Sequence, residues 1–133
     1  MIVDTSALIA MLKEEPEADA LKATILNSES VTISAATLLE ASIVVDGYRN
    51  PVLASRFDTI LERLSIAIEP FTEEQARIAR QAYRDYGRGS GHPANLNFGD
   101  CFAYALARVK REPLLYKGED FGHTDLRSGL QKP

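Results

Sequence analysis

Three acids stand alone in apolar surroundings. Asp4 is the only charged side chain in the first twelve residues, Glu40 the only one between Val31 and Val45, and Asp100 the only one between Ala94 and Ala107. An ionised carboxylate in an apolar segment is costly unless something pairs with it. None of these stretches contains Lys or Arg, so the partner must be a distant cation or a bound metal ion. Carboxylates gathered at one point repel, and their pKa values rise until protons or cations neutralise them. A hard divalent cation meets that need. The chain has one cysteine, Cys101, and two histidines, His92 and His123, far apart in sequence. The available donors are therefore oxygens, which select Mg2+ or Mn2+ over zinc. Mg2+ held by few protein ligands keeps positions for phosphate oxygens, and the natural reaction of such a site is metal-assisted hydrolysis of a phosphodiester. No histidine accompanies a candidate nucleophile and no Gly-rich phosphate loop occurs, which leaves triad and P-loop chemistry unsupported.

Each acid also has a plainer reading. Asp4 suits a helix cap, and Asp100 in a first helical turn favours the helix dipole. Glu40 is harder to explain that way, because Leu38, Leu39, Ile43 and Val44 leave it no polar face. Arg77, Arg80, Arg84 and Arg88 recur at three- and four-residue steps and form one basic stripe if helical. That stripe is a solvated face paired with Glu73 and Glu74, or a phosphate-contacting one. Cys101, Tyr83, Tyr86 and Tyr104 read as packing residues.

Bringing such distant acids together requires a particular order of elements. Met1 to Asp4 reads as a buried parallel strand with the acid at its carboxyl end, and Thr5 and Ser6 cap a helix to Leu12. A helix starts around Glu14-Glu15-Pro16-Glu17 and stops near Asn27. Ser30 to Ile33 is a second strand, and Ser34 starts a helix to about Tyr48 that carries Glu40 in its second turn. Asn50 and Pro51 open a helix to about Leu64, and Ile66 to Ile68 form a third strand. Thr72-Glu73-Glu74-Gln75 has the spacing of a capping box at the head of a helix to Tyr86. Gly87 to Pro93 is a surface loop, and Asn97 caps a helix to about Lys110 that holds Asp100 in its first turn. Pro113 to Tyr116 is a fourth strand, left by the polar run Lys117 to Thr124. Strands alternating with long helices predict an α/β fold with a parallel central sheet and helices on both faces. Ligands of such sheets sit beyond the carboxyl ends of the strands, at a topological switch point, where Asp4, Glu40, Asp100, Glu119 and Asp120 can share one edge.

The 133 residues suit one domain over 1–133 with a sizeable core. A net charge of −4 does not mark a general nucleic-acid binder, so basic contacts to a polyanion must be local or supplied through metal ions. A lone cysteine fits a reducing compartment, no signal peptide is evident, and no weakly charged stretch is long enough to span a bilayer. A cytoplasmic location is expected.

Four stretches together carry a resemblance over nearly the whole chain: Val3-Asp4-Thr5-Ser6-Ala7-Leu8, Glu40 after the second strand, Asn97-Phe98-Gly99-Asp100-Cys101-Phe102-Ala103-Tyr104-Ala105-Leu106-Ala107, and Pro113-Leu114-Leu115-Tyr116-Lys117-Gly118-Glu119-Asp120-Phe121. In their order and spacing the chain resembles a PIN-domain protein, and more narrowly a VapC-type toxin ribonuclease of bacterial toxin–antitoxin pairs. The resemblance implies a single PIN-like domain acting as a Mg2+-dependent endoribonuclease, with RNA as substrate, a cognate antitoxin whose tail reaches the active site, and a homodimer. It assigns Asp4, Glu40 and Asp100 as metal ligands and Ser6 as a polar neighbour of the metal, and it gives the Arg77–Arg88 stripe an acidic antitoxin groove as a further role. A fourth acid that many PIN domains carry earlier in the last loop is replaced here by Gly118; Asp120, or else Glu119, takes its place in the catalytic set. The rival expectation is a non-catalytic module, PIN-like or receiver-like, acting through protein contacts.

Overall fold

The computed structural model describes residues 1–130; residues 131–133, the end of the domain expected over 1–133, lie outside the described residues. The elements run β1 (Ile2–Val3), α1 (Thr5–Leu12), α2 (Ala18–Leu26), β2 (Thr32–Ser34), α3 (Ala35–Gly47), α4 (Pro51–Arg63), β3 (Ala67–Glu69), α5 (Glu73–Tyr86), α6 (Phe98–Lys110), β4 (Leu114–Leu115) and a 3-10 turn (Asp120–His123). The strands pair in parallel in the order β3-β2-β1-β4, with Ile2 opposite both Thr32 and Leu114. A receiver-like sheet runs 2-1-3-4-5, so the receiver-like expectation is corrected by the strand order.

Strands of two or three residues depend on burial to hold a sheet: β1, β2 and β4 are buried throughout, while the edge strand β3 leaves Ala67 and Ile68 exposed. Successive side chains of a strand point to opposite faces. Val3 and Leu115 accordingly join Leu8, Leu12, Leu21, Ile33, Val45 and Phe57 under α1 to α4. Their neighbours Ile2 and Leu114 join Leu96, Leu106 and Phe121 under α5 and α6. One strand thus ties two cores together, and this fixes the direction in which Asp4 leaves β1.

Helix starts set the positions of the acids. The Asn50 side chain accepts from Val52 N at 3.0 Å with Pro51 at the first position, as expected. Asp4 itself caps α1, in place of Thr5 or Ser6. The start expected at Glu14 is displaced to Ala18, because Glu14 takes a left-handed φ of 53° and Glu15 and Glu17 both pair with Lys117. At α5 only half of the expected box forms: Thr72 Oγ1 accepts from Gln75 N at 3.2 Å, but the buried Gln75 side chain donates to Pro70 O. The reciprocal box occurs instead at α6, where Asp100 N donates to Asn97 Oδ1 at 2.9 Å and Asn97 N donates to Asp100 Oδ2 at 3.0 Å.

From β1 the chain steps to β2 and β3 on one side, then returns to place β4 on the other side of β1. The reversal falls between β1 and β4, so the crevice at their carboxyl ends is the switch point of the sheet.

Candidate active site

The end of β1 delivers Asp4 into that crevice, and α1 begins on it. Asp4 Oδ2 accepts from Ser6 N at 3.0 Å and from Ser6 Oγ at 2.7 Å. Its other oxygen, Oδ1, is buried and has no hydrogen-bond partner. The residue is 3% exposed. Burial pushes the Asp4 carboxyl from its ordinary 3.8 up to about 7, with the nearby Asp100 and Glu40 charges adding and the Ser6 bonds opposing.

Glu40 reaches the same place from the second turn of α3, and Thr5 Oγ1 donates to its Oε1 at 2.6 Å. Its apolar neighbours turn out differently from expectation: Leu39, Ile43 and Val44 are exposed, so the α3 surface beside Glu40 is open apolar surface. The first turn of α6 lies directly over Glu40, since a Cβ built at Gly99 would overlap Glu40 Oε2. Glycine is required there by close approach and not by φ. One residue on, Asp100 is also pushed up, first by burial and then by Glu40 and Asp120, against the backbone bond from Asn97 and the charge of Arg88. The acid of the last loop that acts on Asp100 is therefore Asp120, at the head of the 3-10 turn. Ser6 Oγ, besides donating to Asp4, accepts from Lys117 N at 3.0 Å, which pins the loop leading from β4 to Asp120 against α1.

Asp4, Glu40 and Asp100 thus lie close enough to raise one another's proton affinity at Asp4 and Asp100, and Asp120 is close enough to act on Asp100. Among the described residues no three Asp, Glu, His or Cys side chains close a metal cage by themselves. Each of the three inner carboxylates spends an oxygen on a hydroxyl or backbone N–H, from Ser6, Thr5 or Asn97. The arrangement nevertheless fits a hard cation: a buried carboxylate oxygen lacks any partner, and its neighbours add negative charge. Mg2+ takes one or two carboxylates and completes its octahedron with water or substrate oxygens, which is what this donor set offers.

The arginines do not stay together. Arg77 pairs with Glu73 at 2.6 Å, both largely in solvent. Arg88 lies past the end of α5, its N donating to Leu96 O, so the single helical stripe stops at Arg84. Arg80 and Arg88 line a cavity that also borders Glu40. Cys101 and Tyr104 are buried packing residues, as expected, and Tyr86 packs against Tyr104. Sequence reasoning missed Thr5 as the holder of Glu40 and Gly99 as the seat of its carboxylate. The only local signal was Gly99 inside Asn97-Phe98-Gly99-Asp100, where a glycine in a helical first turn carries a propensity cost that calls for a packing reason.

A model of the PIN domain matches residues 1–126. Ribonuclease VapC28 of Mycobacterium tuberculosis is 53% identical over 132 residues, which is 99% of this chain and 99% of that one. The structure of VapBC2 from Rickettsia felis, bound to a DNA fragment from their promoter, superposes with a TM-score of 0.73 at 15% identity, over 96% of this chain and 94% of that chain. A toxin-antitoxin complex from Klebsiella pneumoniae does so with a TM-score of 0.66 at 21% identity, over 90% and 88%. At those identities the two structures speak for the fold.

Proposed function

The chain belongs to the PIN-domain family and, within it, to the VapC ribonucleases, and from that premise we propose that it is a toxin endoribonuclease, one domain over 1–133, that hydrolyses RNA phosphodiester bonds at Asp4, Glu40, Asp100 and Asp120. The observation that carries the assignment of the site is the buried, partnerless Oδ1 of Asp4 beside two further carboxylates. A fold that wanted only a helix cap at this position has no use for a second, orphaned oxygen.

Asp4 and Asp100 would hold the cation, Mg2+ in the first place and Mn2+ as its substitute, with Glu40 as the third ligand. The bound ion would supply positive charge to the scissile phosphate and acidify the attacking water. Everything else is work for the chain. Ser6 fixes the Asp4 rotamer through Oδ2 and leaves Oδ1 pointing free. Thr5 holds one oxygen of Glu40 and the Gly99 seat holds the other side, so the Glu40 carboxylate stays aimed at the crevice. Asp4 must shed its proton before a cation binds, which its raised pKa places near neutrality. Asp120, which is exposed, would order the water that attacks phosphorus. The P–O3′ bond breaks as the P–O bond to water forms, leaving a 5′-phosphate and a 3′-hydroxyl.

The partners belong to the same reading. A cognate antitoxin and a second copy of the chain would cover apolar surface, and exposed Leu39, Ile43 and Val44 on α3 supply it. Among the described residues no helix is long and apolar enough to cross a membrane, and we place the protein in the cytoplasm with its RNA.

The test is cleavage of total cellular RNA by purified protein with Mg2+, with Mn2+ and with chelator, with both ends of each product mapped. Cuts at a few sites that need a divalent cation and leave 5′-phosphates support the reading; RNA that survives intact in every condition refutes it. A second expectation concerns the seat of Glu40. In Gly99→Ala the added methyl displaces the Glu40 carboxylate, and single-turnover cleavage falls between about ten- and a hundredfold, as sub-ångström to ångström misplacement of a reacting group does. Unchanged cleavage by a folded Gly99→Ala protein would show that the position of Glu40 is immaterial.

A further inference from the structure

Beside the carboxylates lies a cavity of about 760 Å3 that meets the site at Glu40 and its Gly99 seat and is otherwise lined by aromatic and basic residues the hydrolytic step does not use. That size falls within the range of small-ligand pockets, about 300–1,000 Å3. Along it Phe71, Phe102 and Phe98 form an edge-to-face chain, with ring centroids 5.1 Å apart for the first pair and 4.8 Å for the second. Phe98, the last of the chain, is 78% exposed at the head of α6, and Tyr83 from α5 is 46% exposed in the same lining. Two large aromatic residues left in water next to a charged site are a recognition feature more than a packing one. Arg80 and Arg88 complete the lining, both exposed, and neither joins an ion pair among the described residues.

We propose that this cavity is a nucleobase subsite for single-stranded RNA: an unstacked base enters against Phe98 and Tyr83, Arg80 and Arg88 contact the phosphates flanking it, and the chain continues past Glu40 to place the next phosphate at the acids. The proposal rests on the ribonuclease reading and deepens it. Charge decides the occupant. The lining offers two unpaired guanidinium groups against one carboxylate, Glu40, and apolar ring surface between them. A nucleotide strand brings both complements at every step, an anion and a π-face, and sequence-specific proteins take up RNA through splayed, stacked bases. The subsite lies at one end of the acid crevice, so it would set which base stands beside the cut.

The full-length Asp4→Asn protein, chosen because its cleavage is expected to be slow on the time of a binding measurement, is titrated with single-stranded oligoribonucleotides of about twelve nucleotides, within the usual site size. Each oligomer carries either 2-aminopurine or an abasic ribose at one position. The expected result is one position at which 2-aminopurine emission is quenched on binding and loss of the base weakens binding about tenfold. Adding Phe98→Ala removes the quench and weakens intact RNA about tenfold, but leaves abasic RNA bound as before; Phe98→Tyr restores both. Phe98 is exposed, so its truncation leaves the fold intact. A flat abasic scan, or a Phe98→Ala loss equal for intact and abasic RNA, overturns the subsite. So does a Phe98→Ala protein that keeps its RNA binding and loses only capture of an antitoxin tail peptide, which would give the cavity to a protein partner. If wild-type protein cuts total RNA while the scan is flat, only the subsite falls. If it neither cuts nor binds RNA, the ribonuclease reading falls and takes the subsite with it.

Discussion

Asp4→Asn lowers single-turnover RNA cleavage by about two to three orders of magnitude, the usual loss when a charge-stabilising group of an active site is removed, while the metal-free variant at pH 8 melts no lower than the wild type. The two halves of that result come from the two oxygens of one side chain. Asn is as good an N-cap as Asp, so the bond that Asp4 Oδ2 accepts from Ser6 N survives the substitution and α1 starts where it did. What disappears is the negative charge behind the partnerless Oδ1. That charge is buried and costly without a cation, so its removal relieves the apo protein even though the new amide brings its own unpaired buried donor. A third readout separates this account from a general loss of activity: Mg2+ or Mn2+ raises the melting temperature of the wild type and fails to raise that of Asp4→Asn. A variant that still cuts RNA at the wild-type rate would reduce Asp4 to a helix cap.

The second large effect is a fall in the stability of the metal-free protein as pH rises from about 4 to about 7. In the unfolded chain Asp4 loses its proton near 3.8, whereas in the folded protein burial holds the proton up to about 7. Between those values the folded state binds more protons than the unfolded one, and stability therefore declines with rising pH. The penalty is absent below 3.8 and complete above 7. The interval is roughly three units at about 1.36 kcal/mol each, or on the order of 4 kcal/mol. Asp100, also pushed up by burial, acts in the same direction. For a domain of this size that corresponds to a loss on the order of 10 °C in melting temperature. The difference between wild type and Asp4→Asn isolates the effect from other titrating groups: the variant lacks most of the falling limb. A divalent cation competes with the proton, so its stabilisation grows as pH rises through 7 and levels off beyond it. Parallel wild-type and variant curves of melting temperature against pH would contradict the burial of a charge at Asp4.

Much of this was legible before any coordinates. Asp4, Glu40 and Asp100 announced themselves as charges without local partners, and the alternation of short apolar strands with helices placed them at one sheet edge. Both inferences rest on strong effects, desolvation and hydrophobic periodicity, that act over a few residues and are written in sequence order. What sequence could not disclose depends on contacts between distant segments. Thr5 lies thirty-five residues from Glu40, and nothing near either residue records the hydrogen bond between them. Gly99 looks like a helix weakness until Glu40 is seen against it. That Asp120 is the acid of the last loop whose charge acts on Asp100 depends on how the chain turns after β4, a matter of backbone geometry. The Thr72 box forms only in half because a backbone carbonyl, Pro70 O, competes for the Gln75 amide. The basic stripe was cut short by a helix that stops at Tyr86, two residues before the periodicity of the arginines does.

The strand order has a consequence in time. A ribosome that has made the chain as far as Lys110 has already delivered Asp4, Glu40 and Asp100, but β1 still lacks β4 on one side, and Ser6 still lacks the Lys117 amide that locks it against the loop carrying Asp120. Domains fold as units and synthesis proceeds from the N-terminus, so the central strand stays half-paired until the last strand has cleared the exit tunnel. The acids are made early and the edge that assembles them is made late.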